Sequence, residues 1–344
     1  MAVPALHDHS HAPALAALVR LVEPFLPISL PLYSSLLTPG VPLAVYATFE
    51  LGAVPRDDPW LLIADLGNQL RFFCPVEAEP HPTPERLKHA QQVVGTGLEL
   101  YLRDHSRGRD RISIGAIPDI WRTTVRDTFG TEPFSASEIH YRTLHDLPPV
   151  VDDGMIETLP GGETVVTTVG RPEDVAEILA TSEVPHPPSY LETRLPYTTV
   201  IRASPSPSST PTRTPARLGT PQSPALDGSS RPASSCSASV SPPRDRILAH
   251  CTTHRDGSIG TLHVSPSARR CGFGARVFLA RARDMHRIRD GSGSRSEYVF
   301  AYVHRENESS NALMKSCAMD KSAYEVWWAR VKLPLPRADD GEAA

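Results

Sequence analysis

Apolar positions recur along this chain with two periods, and each change of period marks an expected element boundary. Short β-branched and aromatic runs predict strands over 45–50, 60–65, 70–75, 112–117, 164–169, 197–202, 247–252, 259–264 and 298–303. An aromatic and aliphatic run over 324–333 predicts a closing strand, in which Trp327 and Trp328 read as core and edge. Helix-like stretches lie between: 13–21, the apolar 31–37 around Tyr33, an amphipathic 84–103, 187–194, 275–289 and 309–317. A further helix over 172–180 has Pro172 in its first turn, with Glu173 and Asp174 at its positive end. In 275–289, Val277, Leu279, Ala282, Met285 and Ile288 fall on one face.

One stretch has neither period. Residues 203–246 hold 9 prolines and 12 serines in 44 positions, a composition too poor in aliphatics to offset the entropy of ordering, so it reads as a disordered insert. Untranslated sequence read as coding has the same signature. The segment falls between the strand-like runs 197–202 and 247–252, which suits a hairpin tip, because loop-closure cost grows only logarithmically with length.

At 344 residues the chain is long enough for two domains of about 150 residues each. The pattern divides into an N-terminal half over 1–160, a second half over 161–335 and a disordered tail over 336–344. A net charge of −4, dispersed rather than blocked, argues against a nucleic-acid partner. No run approaches the ~18 apolar residues of a membrane span, and the start has no basic region before a long apolar core, so a soluble cytoplasmic protein is expected. Cys74, Cys236, Cys251, Cys271 and Cys317 are odd in number and lack a C-x-x-C pair, which reads as reduced thiols. His7, Asp8, His9 and His11 have no second ligand cluster, so no metal site is expected.

The chemistry concentrates where the run 259–264 breaks at Pro266 into Arg269-x-x-Gly272-x-Gly274 and then the helix over 275–289. Two glycines allow a tight turn and let backbone N–H groups approach an anion at a helix N-terminus. No Gly-Lys-Ser/Thr follows, and the three-glycine dinucleotide spacing is missing, so neither a nucleoside-triphosphate loop nor a dinucleotide loop is indicated.

The motif Arg269, Gly272, Gly274 after a strand resembles the acyl-coenzyme A loop of the GNAT acyltransferase superfamily. The wording Asp256-Gly-Ser-Ile-Gly-x-Leu-x-Val264 looks like its glycine N-acyltransferase-like branch. Residues 298–303 (YVFAYV), then Asn307 and Ser310, stand where that family has a strand and Asn-x-x-Ala. Ala318 and Met319 stand in place of its usual Gly-Phe. Residues 30–37 (LPLYSSLL) and 65–73 (DLGNQLRFF) resemble the N-terminal half of the same branch. The resemblance implies an α/β (α+β) GNAT fold with a central mixed, mainly antiparallel sheet, preceded by a degenerate GNAT-like half that shapes the acceptor pocket.

It further implies an acyl-CoA-dependent N-acyltransferase that moves an acyl group, acetyl first, onto a small-molecule amine or amino acid without a metal. The expected assembly is a monomer or weak dimer. Acetyl-CoA would lie between the strands 259–264 and 298–303. Backbone groups of Leu262, His263 and Val264 would hold the pantetheine, and the amides of Arg270, Cys271, Gly272, Phe273, Gly274 and Ala275 would take the pyrophosphate, with charge from Arg269 and Arg270. Asn307 would touch pantetheine or cap the next helix. For proton transfer Asp256, His263 and Tyr324 are the named candidates, with His254 and Thr261 nearby. The branch's glutamate falls nearest Ser258 or Gly260, and the common tyrosine acid falls on Met314. A non-catalytic CoA-binding protein and a protein N-acetyltransferase are the alternatives.

Overall fold

The computed structural model describes residues 5–335 except 39–42, 107, 150–156, 160–162, 183, 205–244, 288–296 and 334. The tail over 336–344 and nearly all of the insert over 203–246 lie outside the described residues. The insert's ends do not: Ala203 and Ser204 close one strand and Arg246 opens the next, with Arg246 paired to Ala203.

The first run of elements is β1 (His7–Asp8), α1 (Ala12–Val22), α2 (Leu30–Leu37), β2 (Ala44–Ala47), β3 (Leu62–Asp65), β4 (Gln69–Phe73), α3 (Pro84–His105), β5 (Arg111–Pro118), α4 (Asp119–Phe129) and β6 (Phe134–Thr143). A two-residue β7 (Glu157–Thr158) leads to the second run. It comprises β8 (Thr164–Val169), α5 (Val175–Thr181), α6 (Pro188–Arg194), β9 (Thr198–Ser204), β10 (Arg246–Thr253), β11 (Ile259–Val264), α7 (Phe273–Arg287), β12 (Tyr298–His304), α8 (Glu308–Ser316) and β13 (Asp320–Lys332). Setting β7 aside, both runs read β-α-α-β-β-β-α-β-α-β.

Local chemistry sets the ends of these elements. Thr83 caps α3 by accepting from the Arg86 N–H at 3.3 Å, Pro84 fits the first helical position, and Arg103 and His105 sit at the negative end. Gly130, at φ +61°, closes α4 in the left-handed conformation that a residue without Cβ adopts freely. The expected helix over 172–180 divides into a 3-10 turn over Pro172–Asp174 and α5.

Two sheets result. One has eight strands in the order β1-β2-β3-β4-β5-β13-β6-β12, and the other has five in the order β11-β10-β9-β8-β7. Among the described residues every pairing is antiparallel except β4 with β5. This is the mixed α/β, mainly antiparallel arrangement, a first copy preceding a second, that the resemblance implied. In the larger sheet β13 lies between β5 and β6, and β6 lies between β13 and β12. Each run's last strand is therefore flanked on both sides by strands of the other run.

Three apolar clusters fill the space between layers. Trp121, Leu98 and Ile114 belong to one beneath α3 and α4. Leu32, Phe73 and Val326 belong to another beneath α1 and α2, and Val277, Val299 and Met314 to a third beneath α7 and α8. Among the described residues no helix is long and apolar enough to cross a membrane.

Candidate active site

The site is built where the two sheets part. β11 is the edge of the five-stranded sheet and β12 the edge of the eight-stranded one, and these neighbours share no ladder. Each presents an outward row of backbone N–H and C=O groups into the wedge between them. β11 is also bulged. Thr252 pairs with Gly260 and His250 with His263, so Thr261 and Leu262 oppose the single residue Cys251, and Thr261 adopts φ +49°. A β-branched residue in that conformation is strained, and the bulge takes two residues of the wedge wall out of the ladder with β10.

Past β11 the chain makes a short 3-10 turn and then the loop of the Arg-x-x-Gly-x-Gly motif. Arg270 (φ +64°) and Gly272 (φ +81°) both lie in the left-handed region, one residue apart. Such alternation turns successive N–H groups toward one side, a concavity for an anion. Among the described residues the N–H groups of Arg270, Cys271 and Gly272 have no backbone acceptor, and α7 begins at Phe273 with the free amides of a helix N-terminus. A Cβ added at Gly272 would meet nothing within 4 Å, so the loop is open there. One at Gly274 would touch Leu313 and Val264 at 3.4 and 3.5 Å. The Arg269 Nε–H reaches back to the Val264 carbonyl at 3.4 Å. Asn307 caps α8 by accepting from the Ser310 N–H at 3.0 Å, the second of the two roles expected of it.

The three named proton-transfer candidates occupy separate surroundings. Asp256, in the β10–β11 turn, is fully buried against Arg71 of β4, whose Nη2 donates at 2.6 Å. The Ser258 hydroxyl donates to its other oxygen at 2.7 Å. Burial alone would raise this carboxyl, yet the Arg71 charge, with His254 and Ser258, holds it down at about 2. His263 sits on β11 with its ring 5.7 Å from that of His250, a neighbour that burial and the His263 charge push down to about 4.

The sequence reading needs Tyr324 to face the wedge between β11 and β12. Its hydroxyl instead donates to the Ile28 carbonyl at 3.1 Å, within a small cavity lined by Ile28, Phe72, Phe73, Glu77, Ala116 and Pro118. Those residues belong to the first run, where β4 and β5 pair at Gln69↔Ser113 and Leu70↔Ile114 and no further along toward Phe73 and Pro118. Met314 is buried in the core beneath α7 and α8, so its position supplies no hydroxyl.

The corresponding turn of the first run, between β4 and α3, is chemically opposite to the loop before α7. It carries Glu77 and Glu79 and has no glycine, and a Glu77 oxygen accepts from the Cys74 N–H at 2.7 Å. Burial pushes the Glu77 carboxyl up to about 8. Glu79 pairs with Arg86 of α3 at 2.6 Å, and α2 packs against β4.

Around β11 the structure gathers a group that sequence reading only partly anticipated. The imidazole of His254 lies between Tyr190 of α6, whose hydroxyl is 2.8 Å from Nδ1, and Thr261, whose hydroxyl is 3.3 Å from Nε2. The His186 ring stacks on Tyr190 at 4.8 Å. Arg71 and Tyr302 complete the wall: Tyr302 of β12 is half-buried, and the Arg71 guanidinium carbon is 5.9 Å from its ring centroid. No periodicity links residues 71, 186, 190, 254, 261 and 302, so only His254 and Thr261, close to the motif in sequence, were within reach beforehand. Among the described residues no three His, Cys, Asp or Glu side chains gather to hold a metal.

Comparison with known proteins bears on this geometry. Residues 242–328, which run from before β10 into β13, match the family model described as FR47-like protein. No curated protein matches the chain. Among solved structures, a Drosophila protein solved by X-ray diffraction is 13% identical with a TM-score of 0.59, over 95% of this chain and 98% of that one. A tandem GNAT protein from the clavulanic acid biosynthesis pathway is 11% identical with a TM-score of 0.48, over 97% and 100%. A GCN5-related N-acetyltransferase from Sphaerobacter thermophilus is 13% identical with a TM-score of 0.41, over 96% and 96%. The Drosophila likeness shows a shared fold. The family match supports the GNAT/FR47-like acetyltransferase superfamily and singles out no branch within it.

Proposed function

We propose that this chain is an acyl-CoA-dependent N-acyltransferase that moves an acyl group, acetyl as the first to test, onto a small amine or amino acid. The observation that carries this reading is the alignment of two open strand edges, β11 and β12, with a left-handed N–H loop at the start of α7. A pantetheine arm is a chain of amides and would add to the β11 edge at Leu262, His263 and Val264 as a strand adds to a sheet. The amides of Arg270, Cys271, Gly272, Phe273, Gly274 and Ala275 would take the pyrophosphate, with Arg269 and Arg270 adding charge. Residues fit this ligand on two counts: the space above Gly272 is open, and the N–H groups of Arg270, Cys271 and Gly272 have no backbone acceptor among the described residues.

Residues 161–335 would form the catalytic half and 1–160 the half that shapes the acceptor pocket. In support, the first run has no glycine in the turn between β4 and α3, yet contributes Arg71 to the wall beside β11. The wording over Asp256–Val264 favours the glycine N-acyltransferase-like branch and hence a small acceptor. Asp256 stays ionised through the neutral range and serves as a fixed charge that positions Arg71. A second reading, binding of CoA without turnover, draws on Met314 in the core, where no tyrosine can protonate a leaving thiolate.

Calorimetric titration with acetyl-CoA, followed by thiol release against a panel of small amines and amino acids, tests the reading. Saturable binding with amine-dependent release is expected. Binding without release would favour the second reading, and no binding would end both.

A further inference from the structure

We infer that His254, held by Tyr190, is the proton acceptor for acyl transfer, its imidazole filling the space that a side chain at position 260 of β11 would otherwise take. The inference rests on the acyl-CoA reading above. A Cβ built on Gly260 would lie 2.5 Å from His254 Nε2 and 2.8 Å from its Cδ2. Any other residue at 260 would collide with the imidazole. Glycine there brings a ring from the β10–β11 turn onto the wedge wall, where this strand has no carboxylate of its own.

Two hydrogen-bond partners fix the ring. With the proton on Nδ1 donated to the Tyr190 oxygen, Nε2 keeps its lone pair toward Gly260 and the Thr261 hydroxyl, beside the strained bulge. His254 and Gly260 are each only partly buried. The groups facing the imidazole are Tyr190 and Arg194 on α6, His186 before it, Arg255 and Asp256 in the turn, and Arg71 on β4. Burial lowers His254 to about 4, His186, Arg194 and Arg71 push in the same direction, and Asp256 opposes them. The ring is thus neutral and free to accept a proton at neutral pH.

The step balances without another reactant. The amine nitrogen forms the C–N bond to the thioester carbonyl carbon, and the C–S bond breaks. The amine proton passes to Nε2 and from there to the departing thiolate, leaving an amide and free CoA thiol. Imidazolium with so low a pKa is a strong acid toward a thiolate, which supplies the proton that position 314 cannot. Tyr190 acts as a positioning residue through Nδ1.

The test compares His254→Ala, Tyr190→Phe and the double variant His254→Gly/Gly260→Glu with the parent protein. Each is titrated with acetyl-CoA and assayed for thiol release with whichever amine of the panel turns over. Expected for His254→Ala are an acetyl-CoA Kd within about twofold of the parent and a kcat lower by about 10²–10³-fold. Tyr190→Phe shifts the acid limb of the pH profile with little change in KM. The double variant, which puts a carboxylate into the vacated space, recovers about tenfold or more over His254→Ala. A kcat for His254→Ala within threefold of the parent overturns the inference while leaving acyl-CoA binding standing. If His254→Ala does not fold, an unchanged pH profile for Tyr190→Phe, or a folded double variant with no recovery, overturns it. Absence of acetyl-CoA binding in the parent protein removes the underlying reading and this inference with it.

Discussion

Gly272 concentrates the ligand argument in one position, since its φ of +81° and open surroundings set conformation and space apart as separate demands. Alanine there meets no neighbour, so Gly272→Ala should cost only the left-handed strain, about 1–2 kcal/mol, and lower the denaturation midpoint without abolishing acetyl-CoA binding. Glu77 makes a second residue-scale case. Its folded pKa, raised by burial from 4.5 to about 8, means that the folded state holds a proton the unfolded chain has released. Stability is therefore undiminished below about pH 4.5 and declines as pH rises from there through about 8. Glu77→Gln should remove that decline and gain roughly 1–3 kcal/mol over the parent at pH 8 but little at pH 4.5, read from urea midpoints. Equal differences at both pH values would show that Glu77 is not buried as described. The motif loop was legible because its glycines serve local backbone geometry. Glu77 was not, because its environment is made by elements far away in the chain, and for the same reason His254 was named without its partner Tyr190.

Among the elements, the exchange of β6 and β13 is the feature with the largest mechanical consequence. β13 pairs along β5 from Val326↔Pro118 to Lys332↔Arg111, and along β6 from Asp320↔Tyr141 to Trp328↔Phe134. Ending the chain before Asp320 would strip a strand from the middle of the larger sheet and open two long edges. Such a truncation should be recovered only in insoluble material, and size-exclusion chromatography of the soluble fraction checks this. A monodisperse, folded truncation would show that the first run completes its own sheet. β8 and β11 were legible to the residue, and β10 and β12 to within a residue or two, because their apolar runs are dense and bounded by turn residues. β6 escaped notice: its FSASEIHYRT has three charged or histidine positions, Glu138, His140 and Arg142, and only two β-branched residues, and it becomes a strand because both neighbours demand a partner. α4 escaped for the same reason, since its apolar face of Trp121 and Val125 is narrow and its cap is the single Gly130.

Across the whole molecule, the β10–β11 turn ties the two runs together at the site. Arg71 of the first run holds Asp256, the Arg255 Nη1 donates to the Leu66 carbonyl at 3.1 Å, and a Cβ at Gly257 would press on Ser34 of α2 at 2.9 Å. Removing one partner of the buried ion pair leaves the other charge stranded, so Arg71→Ala should cost about 3–5 kcal/mol, and Arg71→Met with Asp256→Leu should cost less than the single change. Asp256 is depressed from 3.8 to about 2, so its contribution is present above pH 3.8 and is lost as pH falls from there through about 2. Acid titration followed by tryptophan fluorescence should show that loss in the parent and not in the double variant. The central claim, that the wedge between β11 and β12 and the loop at α7 hold an acyl-CoA, is tested most directly by calorimetric titration of acetyl-CoA into the full chain and into Gly272→Glu. Saturable binding by the parent and a loss of about 30-fold or more in the variant, whose carboxylate enters the phosphate concavity, is the predicted result. Equal affinity in the two proteins would contradict it.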